Sequence, residues 1–287
     1  MISVADTSGR EFEYADSDFN RVRAAIYRKA GINLAESKRQ LVYSRLARRL
    51  RALNLASFGE YLDYLESTPE ELQEFVNALT TNLTAFFREE HHFSILKDFI
   101  KKNRYNKPCR IWCSASSTGE EPYSIAMTVA EAYGNYRPPV EIVASDIDSQ
   151  VLNTASMGVY SLDRLEALSA DKKKQFFLRG KGKNSGKAKV IDELRRLIEF
   201  KQINLLDRKW PLQEKFDVIF CRNVMIYFDK PTQLQILKRM TQLLVPDGLY
   251  IAGHSESFSH ASHLVRLVGK STYRLAASDV KEDVNDV

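Results

Sequence analysis

From Cys109 onward, short β-rich apolar runs alternate with helical stretches, and this rhythm restricts the fold more than any other feature of the chain. CRIWCSA opens the series at Cys109, a helix is predicted from Glu120 to Tyr133, and VEIVAS follows with another helix from about Ser149. LIEFKQINLL, FDVIFCRN, a helix from about Lys230 to Leu244, and GLYIAG continue the pattern. Strands separated by helices of this length need crossovers, so they lie parallel in one sheet with helices on both faces. VRLVGK and STYRLAAS are joined too tightly for a crossover and predict an antiparallel pair that closes the sheet.

The first eighty residues read as helices only. A periodic stretch from Phe19 to Ala30 stops at Gly31, and Val42, Leu46, Leu50 and Leu53 form one stripe on the next helix. Ser57 is placed to cap a third helix, and Pro69 begins a fourth that carries Leu72, Phe75, Val76 and Leu79. The 287 residues therefore divide into a helical N-terminal domain over 1–80 and an α/β domain over 81–287. Within the latter, residues 176–200 (glycines at 180, 182 and 186, with basic flanks) read as an inserted glycine-rich β-subdomain.

Charge is unevenly spread. Between Arg21 and Arg51 stand ten Lys/Arg and one acid, Glu36, a balance of +9 against +5 for the whole chain. Arg45, Arg48, Arg49 and Arg51 fall largely off the leucine stripe, which suits a surface that docks an acidic partner, either nucleic acid or a glutamate-rich protein. No apolar run approaches the ~18 residues of a membrane span. The N-terminus lacks the pattern of a signal peptide, and three cysteines with five scattered histidines give neither a disulfide framework nor a zinc spacing. These readings lead us to expect a reduced, cytoplasmic protein without a metal.

Ligands on an open parallel sheet bind beyond the carboxyl ends of its strands. Those ends read Ala115-Ser116-Ser117-Thr118-Gly119-Glu120-Glu121, Ser145-Asp146-Ile147-Asp148, Asn204-Leu205-Leu206 and Cys221-Arg222-Asn223. The small residues of the first would let a ligand approach the backbone. Asp146, 27 residues beyond Gly119, can accept hydrogen bonds from both ribose hydroxyls. A single glycine and two consecutive acids at the helix start argue against a pyrophosphate, so a nucleoside carrying a cationic group fits better. Ahead of the sheet, Arg88 lies among Phe86, Phe87 and Phe93, where a guanidinium needs a carboxylate or carbonyl partner and would suit an acidic substrate.

TTNLTAFFRE (80–89), STGEEPYSIA (117–126), ASDID (144–148), INLL (203–206), FCRNVMIYFD (220–229) and PDGLYIAGHSESF (246–258) together resemble the chemotaxis receptor methyltransferases, the CheR family. The likeness runs in the same order over roughly residues 15 to 277. It implies an S-adenosylmethionine-dependent enzyme that esterifies glutamates on chemoreceptor cytoplasmic helices and releases S-adenosylhomocysteine. The implied fold is a class I methyltransferase (Rossmann-like) sheet with an all-helical N-terminal domain and a small inserted β-subdomain.

By this resemblance Asn82, Thr84 and Arg88 contact the methionine end of the cofactor, and Glu121 its amino group, with Glu120 the alternative by register. Asp146 holds the ribose, Asn204 and Leu205 flank the adenine, and Arg222 and Asn223 complete the pocket. Arg88 and Tyr227 face the incoming glutamate. The resemblance also assigns receptor docking to the basic helix. Arg179, Gly180, Gly182 and Gly186 look like a site for a receptor tail peptide, with Lys189 where some relatives carry arginine. The expected partners are receptors in membrane arrays, to which a monomer is recruited, without nucleic acid or membrane insertion.

Three competing readings are separable. A nucleic-acid methyltransferase would place the arginines of 21–51 on phosphates, yet RNVMIYF stands where a base-flipping motif is expected. A non-catalytic adaptor would not need Arg88 and Tyr227. A hydrolase built on His254-Ser255-Glu256 fails because consecutive side chains point apart.

Overall fold

The computed structural model describes residues 11–103 and 108–276. Four helices form the N-terminal module: α1 (Asp16–Ala30), α2 (Arg39–Leu53), α3 (Phe58–Ser67) and α4 (Glu71–Leu79). Phe19, Val22 and Ile26 of α1 share one core with Val42, Leu46 and Leu50 of α2, and Phe58, Tyr61, Phe75 and Leu79 of α3 and α4 close it. The Ser57 side chain accepts from the Glu60 N–H as the α3 cap, and Gly31 ends α1 in the left-handed conformation.

The basic stretch is largely consumed internally, which changes the expected docking surface. Arg49 makes a bidentate contact with Glu71, which is 5% exposed and also accepts from the Tyr61 hydroxyl. Arg45 donates to the carbonyls of Ala78 and Thr80 at the end of α4, and Arg51 grips Glu11. Arg21 pairs with Asp63, and Arg39 with Asp16. Of the four arginines expected to dock, Arg48 alone is exposed and without an ion pair among the described residues.

α5 (His91–Lys102) leads into the sheet domain. There β1 (Cys109–Cys113), α6 (Glu120–Tyr133), β2 (Val140–Asp146), α7 (Ser149–Met157), β6 (Ile198–Gln202), β7 (Phe216–Cys221), α10 (Lys230–Gln242), β8 (Leu244–Ala252), β9 (Val265–Gly269) and β10 (Thr272–Leu275) form one seven-stranded sheet and its covering helices. The order is β6-β2-β1-β7-β8-β10-β9, parallel from β6 to β8, with β10 antiparallel to both β8 and β9. Ile111 and Cys113 of β1 belong to the core with α5 and α6, while Trp112 faces the opposite core with Ile236 and Leu237 of α10. Both faces are covered, which explains why these strands read as continuous apolar runs.

A second, three-stranded sheet has the order β3-β5-β4: β3 (Val159–Ser161), β5 (Lys187–Val190) and β4 (Phe177–Arg179), all antiparallel. The short helices α8 (Ala170–Phe176) and α9 (Asp192–Arg195) flank it. Its extent differs from the 176–200 expected. β3 lies ahead of that range, and Ile198 onward belongs to the large sheet. A three-residue strand directly after a helix leaves no periodicity by which sequence could find it. Among the described residues no helix is long and apolar enough to cross a membrane.

Arg49→Ala strands a buried carboxylate and is expected to cost about 3 kcal/mol in urea unfolding, whereas Arg48→Ala should change stability by less than about 0.5 kcal/mol. Equal effects would contradict the pairing described.

Candidate active site

A cavity of about 500 Å³ opens between the helical module and the carboxyl ends of β1, β2, β6 and β7. The strand order reverses between β1 and β7, the switch point where an open α/β sheet leaves a crevice. Asn82, Thr84, Arg88, Glu121, Asp146, Asn204, Leu205, Arg222, Asn223 and Tyr227 all line it. The helical module contributes Ala30, Ile32, Leu34 and Leu41, a wall that strand-end reasoning did not anticipate.

Arg222 is the most deeply held of these side chains. It donates to the Glu121 carboxylate and to the Arg88 carbonyl, and its Nη2 lies 3.3 Å from Glu89. Burial alone would lower its pKa, but the fields of Glu121 and Glu89 outweigh that and raise it, so the guanidinium stays charged. Glu121 also accepts from the Cys113 thiol at 3.2 Å. Glu89 further accepts from the Asn223 side chain and the His254 N–H, and burial pulls its neighbour His92 down to about 4. Glu89 closes the string TTNLTAFFRE, and that position beside Arg88 was the signal that could have marked it.

Asn223 has φ 56°, and Glu256 holds it there. The Glu256 carboxylate accepts from the N–H groups of Asn223, Val224, Met225 and Gly253 at 2.9, 3.0, 2.8 and 2.6 Å. The acid excluded from a relay thus fixes the backbone of the β7 end.

At the β2 end, Asp146 accepts from the Ser117 and Asp148 N–H groups at 2.8 and 3.0 Å. Burial pushes its carboxyl up to about 6, against the lowering effect of those N–H groups. A carboxylate oxygen can accept more than one hydrogen bond, and Asp146 lines the cavity. Asp148 caps α7 and accepts from Thr80 and Asn82, tying the interdomain connection to the sheet. Asn204 spends its side chain on the Lys29 carbonyl and the Leu206 N–H, so it holds the wall rather than offering a free amide.

One expectation about the β1 end is corrected. Gly119 does not face the cavity. At φ 100° its missing Cβ would meet Tyr160 Oη at 2.7 Å and Ala155 Cβ at 2.9 Å, so it serves packing rather than ligand approach. Of the two acids, Glu121 lines the cavity, whereas Glu120 is buried against Arg164 and Thr118.

Arg179 ends β4, Lys189 lies in β5, Gly180, Gly182 and Gly186 stand in the connection between those strands, and none of the five lines this cavity. Strand β4 pairs only with β5 among the described residues, so one edge remains open beside the exposed Leu178. A Cβ at Gly180 would stand 2.1 Å from the Asn184 carbonyl oxygen, and Lys189 leans 3.5 Å from Asp192. Among the described residues there is no group of three His, Cys, Asp or Glu that could hold a metal ion.

Two family models match the chain: the CheR methyltransferase all-alpha domain over residues 17–80, and the CheR methyltransferase SAM binding domain over residues 82–274. The chain is 61% identical over 265 residues to chemotaxis protein methyltransferase 2 of Pseudomonas aeruginosa, covering 92% of this chain and 95% of that one. It is 50% identical to the chemotaxis protein methyltransferase of Salmonella typhimurium, over 91% of each chain. The spirochaete Borreliella burgdorferi has a counterpart 36% identical over 90% of this chain and 93% of its own.

The donor set fits S-adenosylmethionine. Asp146 offers acceptors for a diol, Glu121 a carboxylate for an ammonium group, and Arg88 donors for a carboxylate, among apolar residues that can enclose a nucleoside.

A ribose diol donating to Asp146 would favour its ionised form, lower its pKa and release a proton. Affinity for S-adenosylhomocysteine is therefore expected to plateau above pH 6 and to weaken below it by at most about tenfold per pH unit. Calorimetry across pH 5–8 should show this step, and Asp146→Asn should flatten it.

Proposed function

The chain belongs to the CheR methyltransferase family, and from that premise we propose that this S-adenosylmethionine-dependent methyltransferase modifies glutamate side chains on the cytoplasmic helices of chemoreceptors. The observation that carries the reading is the convergence of Arg88, Glu121, Asp146, Arg222 and Tyr227, from four separate segments, on one cavity at the sheet's switch point. The bound cofactor supplies a methyl group activated on a sulfonium.

The residues of the chain do the rest. Arg88 Nη1 donates to the Leu83 carbonyl at 2.8 Å, which fixes the guanidinium and leaves its remaining N–H groups for an acceptor carboxylate. Tyr227 is held through its carbonyl by the Asn33 N–H at 2.9 Å, so the wall facing the acceptor is anchored to the helical module. Arg222 keeps Glu121 and the Arg88 backbone in register. A glutamate has a pKa near ~4.3 and is already ionised at neutral pH, so no general base is required. His92 is buried outside the cavity with its Nε2 on the Lys270 carbonyl, and it is not placed to act as one. Alignment and exclusion of water from an apolar enclosure supply the acceleration.

Docking on acidic receptor helices falls to the cations left over from internal pairing, Arg48 foremost. The same pairing leaves little charge for a phosphate backbone. The open β4 edge, with Arg179, Gly180, Gly182, Gly186 and Lys189 around it, supports binding of a receptor tail as an added strand. Through such contacts a monomer would be recruited to membrane receptor arrays from the cytoplasm.

Transfer of labelled methyl to a receptor cytoplasmic fragment as base-labile ester tests the reading, and absence of label would overturn it. Arg88→Ala is expected to raise KM for the fragment and lower kcat, with kcat/KM falling on the order of 10²-fold. Unchanged turnover would remove Arg88 from its role. Calorimetric titration with receptor tail peptides should give heat that Gly180→Ala abolishes, because the added Cβ cannot clear the Asn184 carbonyl.

A further inference from the structure

Most of the cavity rim is polar or half-buried, but two large apolar side chains on it face solvent. Leu83 is 77% exposed and Ile226 is 50% exposed, and both line the cavity. Leaving such groups in water gains nothing for folding, and large apolar side chains left exposed at the mouth of a cavity mark a surface that meets a partner. Each is tied to one of the two residues that face the acceptor. The Leu83 carbonyl accepts from Arg88, and Ile226 shares the 3₁₀ turn Met225–Tyr227 with Tyr227. Leu83 belongs to the interdomain connection and Ile226 to the β7 side, so the two lips come from different segments of the mouth. The exposed Lys38 is also on the rim and forms no ion pair among the described residues.

We propose that Leu83 and Ile226 are specificity-determining lips that grip an α-helix of the acceptor on either side of the glutamate inserted between them. They read small or apolar residues one helical turn before and after it, with Lys38 meeting an acidic position beyond. This deepens the reading of the site as a receptor-glutamate methyltransferase and rests on it. The geometry of a helix supplies the logic. Residues at i−4 or i−3 and at i+3 or i+4 share the face of the glutamate and lie about 5 Å to either side along the axis. A carboxylate can reach Arg88 only if those neighbours lie against the rim. Large charged side chains there would be desolvated against Leu83 and Ile226 without a partner, which excludes the glutamates they flank. Glutamates in an acidic helix are thus sorted by their neighbours rather than by their own chemistry.

The test uses the full chain and a soluble helical fragment of a receptor cytoplasmic region, with wild type and the Leu83→Ser/Ile226→Ser double variant in parallel. The expected result is a rise of at least tenfold in KM for the fragment, with the loss falling on KM rather than kcat. S-adenosylhomocysteine affinity by calorimetry should stay within twofold. Leu83→Met/Ile226→Leu should restore KM. Placing Lys one turn from a methylated glutamate should weaken the wild type and have little further effect on the double Ser variant. A fragment KM unchanged within twofold overturns the proposal, as does a parallel loss of cofactor affinity, which would assign the two side chains to the nucleoside site. Fragment binding by fluorescence anisotropy, with S-adenosylhomocysteine saturating, is read whether or not methyl is transferred. Failure of wild type to transfer label therefore rejects the enzymatic reading, whereas transfer with unchanged fragment affinity in the variant rejects only the lips.

Discussion

A guanidinium enclosed by protein is tolerated only when acceptors, best of all carboxylates, surround it, and the organisation of this site follows from that requirement at Arg222. Its charge is shared between Glu121 at the start of α6 and Glu89 at the entry to α5, and its second arm holds the Arg88 carbonyl. Removing Arg222 would leave two carboxylates facing each other without their cation in a medium of low polarity. The network therefore binds together the end of β7, the first turn of α6 and the connection from the helical module. Those three pieces carry most of the polar cavity wall, so their mutual placement is fixed by electrostatics before any ligand arrives.

A second set of anchors works through backbone N–H groups. Glu256 collects four of them and shapes the loop after β7, and Asp148 caps α7 while reaching Thr80 and Asn82. Between them these carboxylates join the strand ends to the segment leaving α4. The Tyr27 hydroxyl on Asp229 and the Asn204 amide on the Lys29 carbonyl complete the seam. The cavity is consequently a property of both domains, with apolar residues of the helical module forming a wall that the sheet alone would leave open to water.

How much of this was legible in the sequence depended on how far apart the interacting residues lie along the chain. The parallel sheet was readable because burial on both faces writes each strand as an unbroken apolar run, and the strand ends then pointed to Asp146, Asn204 and Arg222. The ion pairs were not readable. Arg49 finds Glu71 and Arg51 finds Glu11 across 22 and 40 residues, so a window that sums to +9 looked far freer than it is. Glu120 and Glu121 could not be told apart by composition. The helix turns each successive residue by about 100°, which sends one toward Arg164 and the other into the cavity. Gly119 was read as making room for a ligand, when it makes room for Tyr160. Glu256 looked like a failed catalytic acid because nothing in a linear string reveals four amide hydrogens converging on it.

The thiol that leans on Glu121 bears on the chemistry in another way. Cys113 is fully enclosed, and burial with the adjacent carboxylate drives its pKa well above the usual thiol range; burial likewise drives that of Cys221 up to about 12. Sulphur attacks alkylating agents as the anion, and neither group is present as one at neutral pH. A thiolate open to a bound alkylating agent would be alkylated, and neither cysteine is exposed or lines the cavity. The Glu121 carboxylate that lines the cavity thus also keeps the thiol it touches silent.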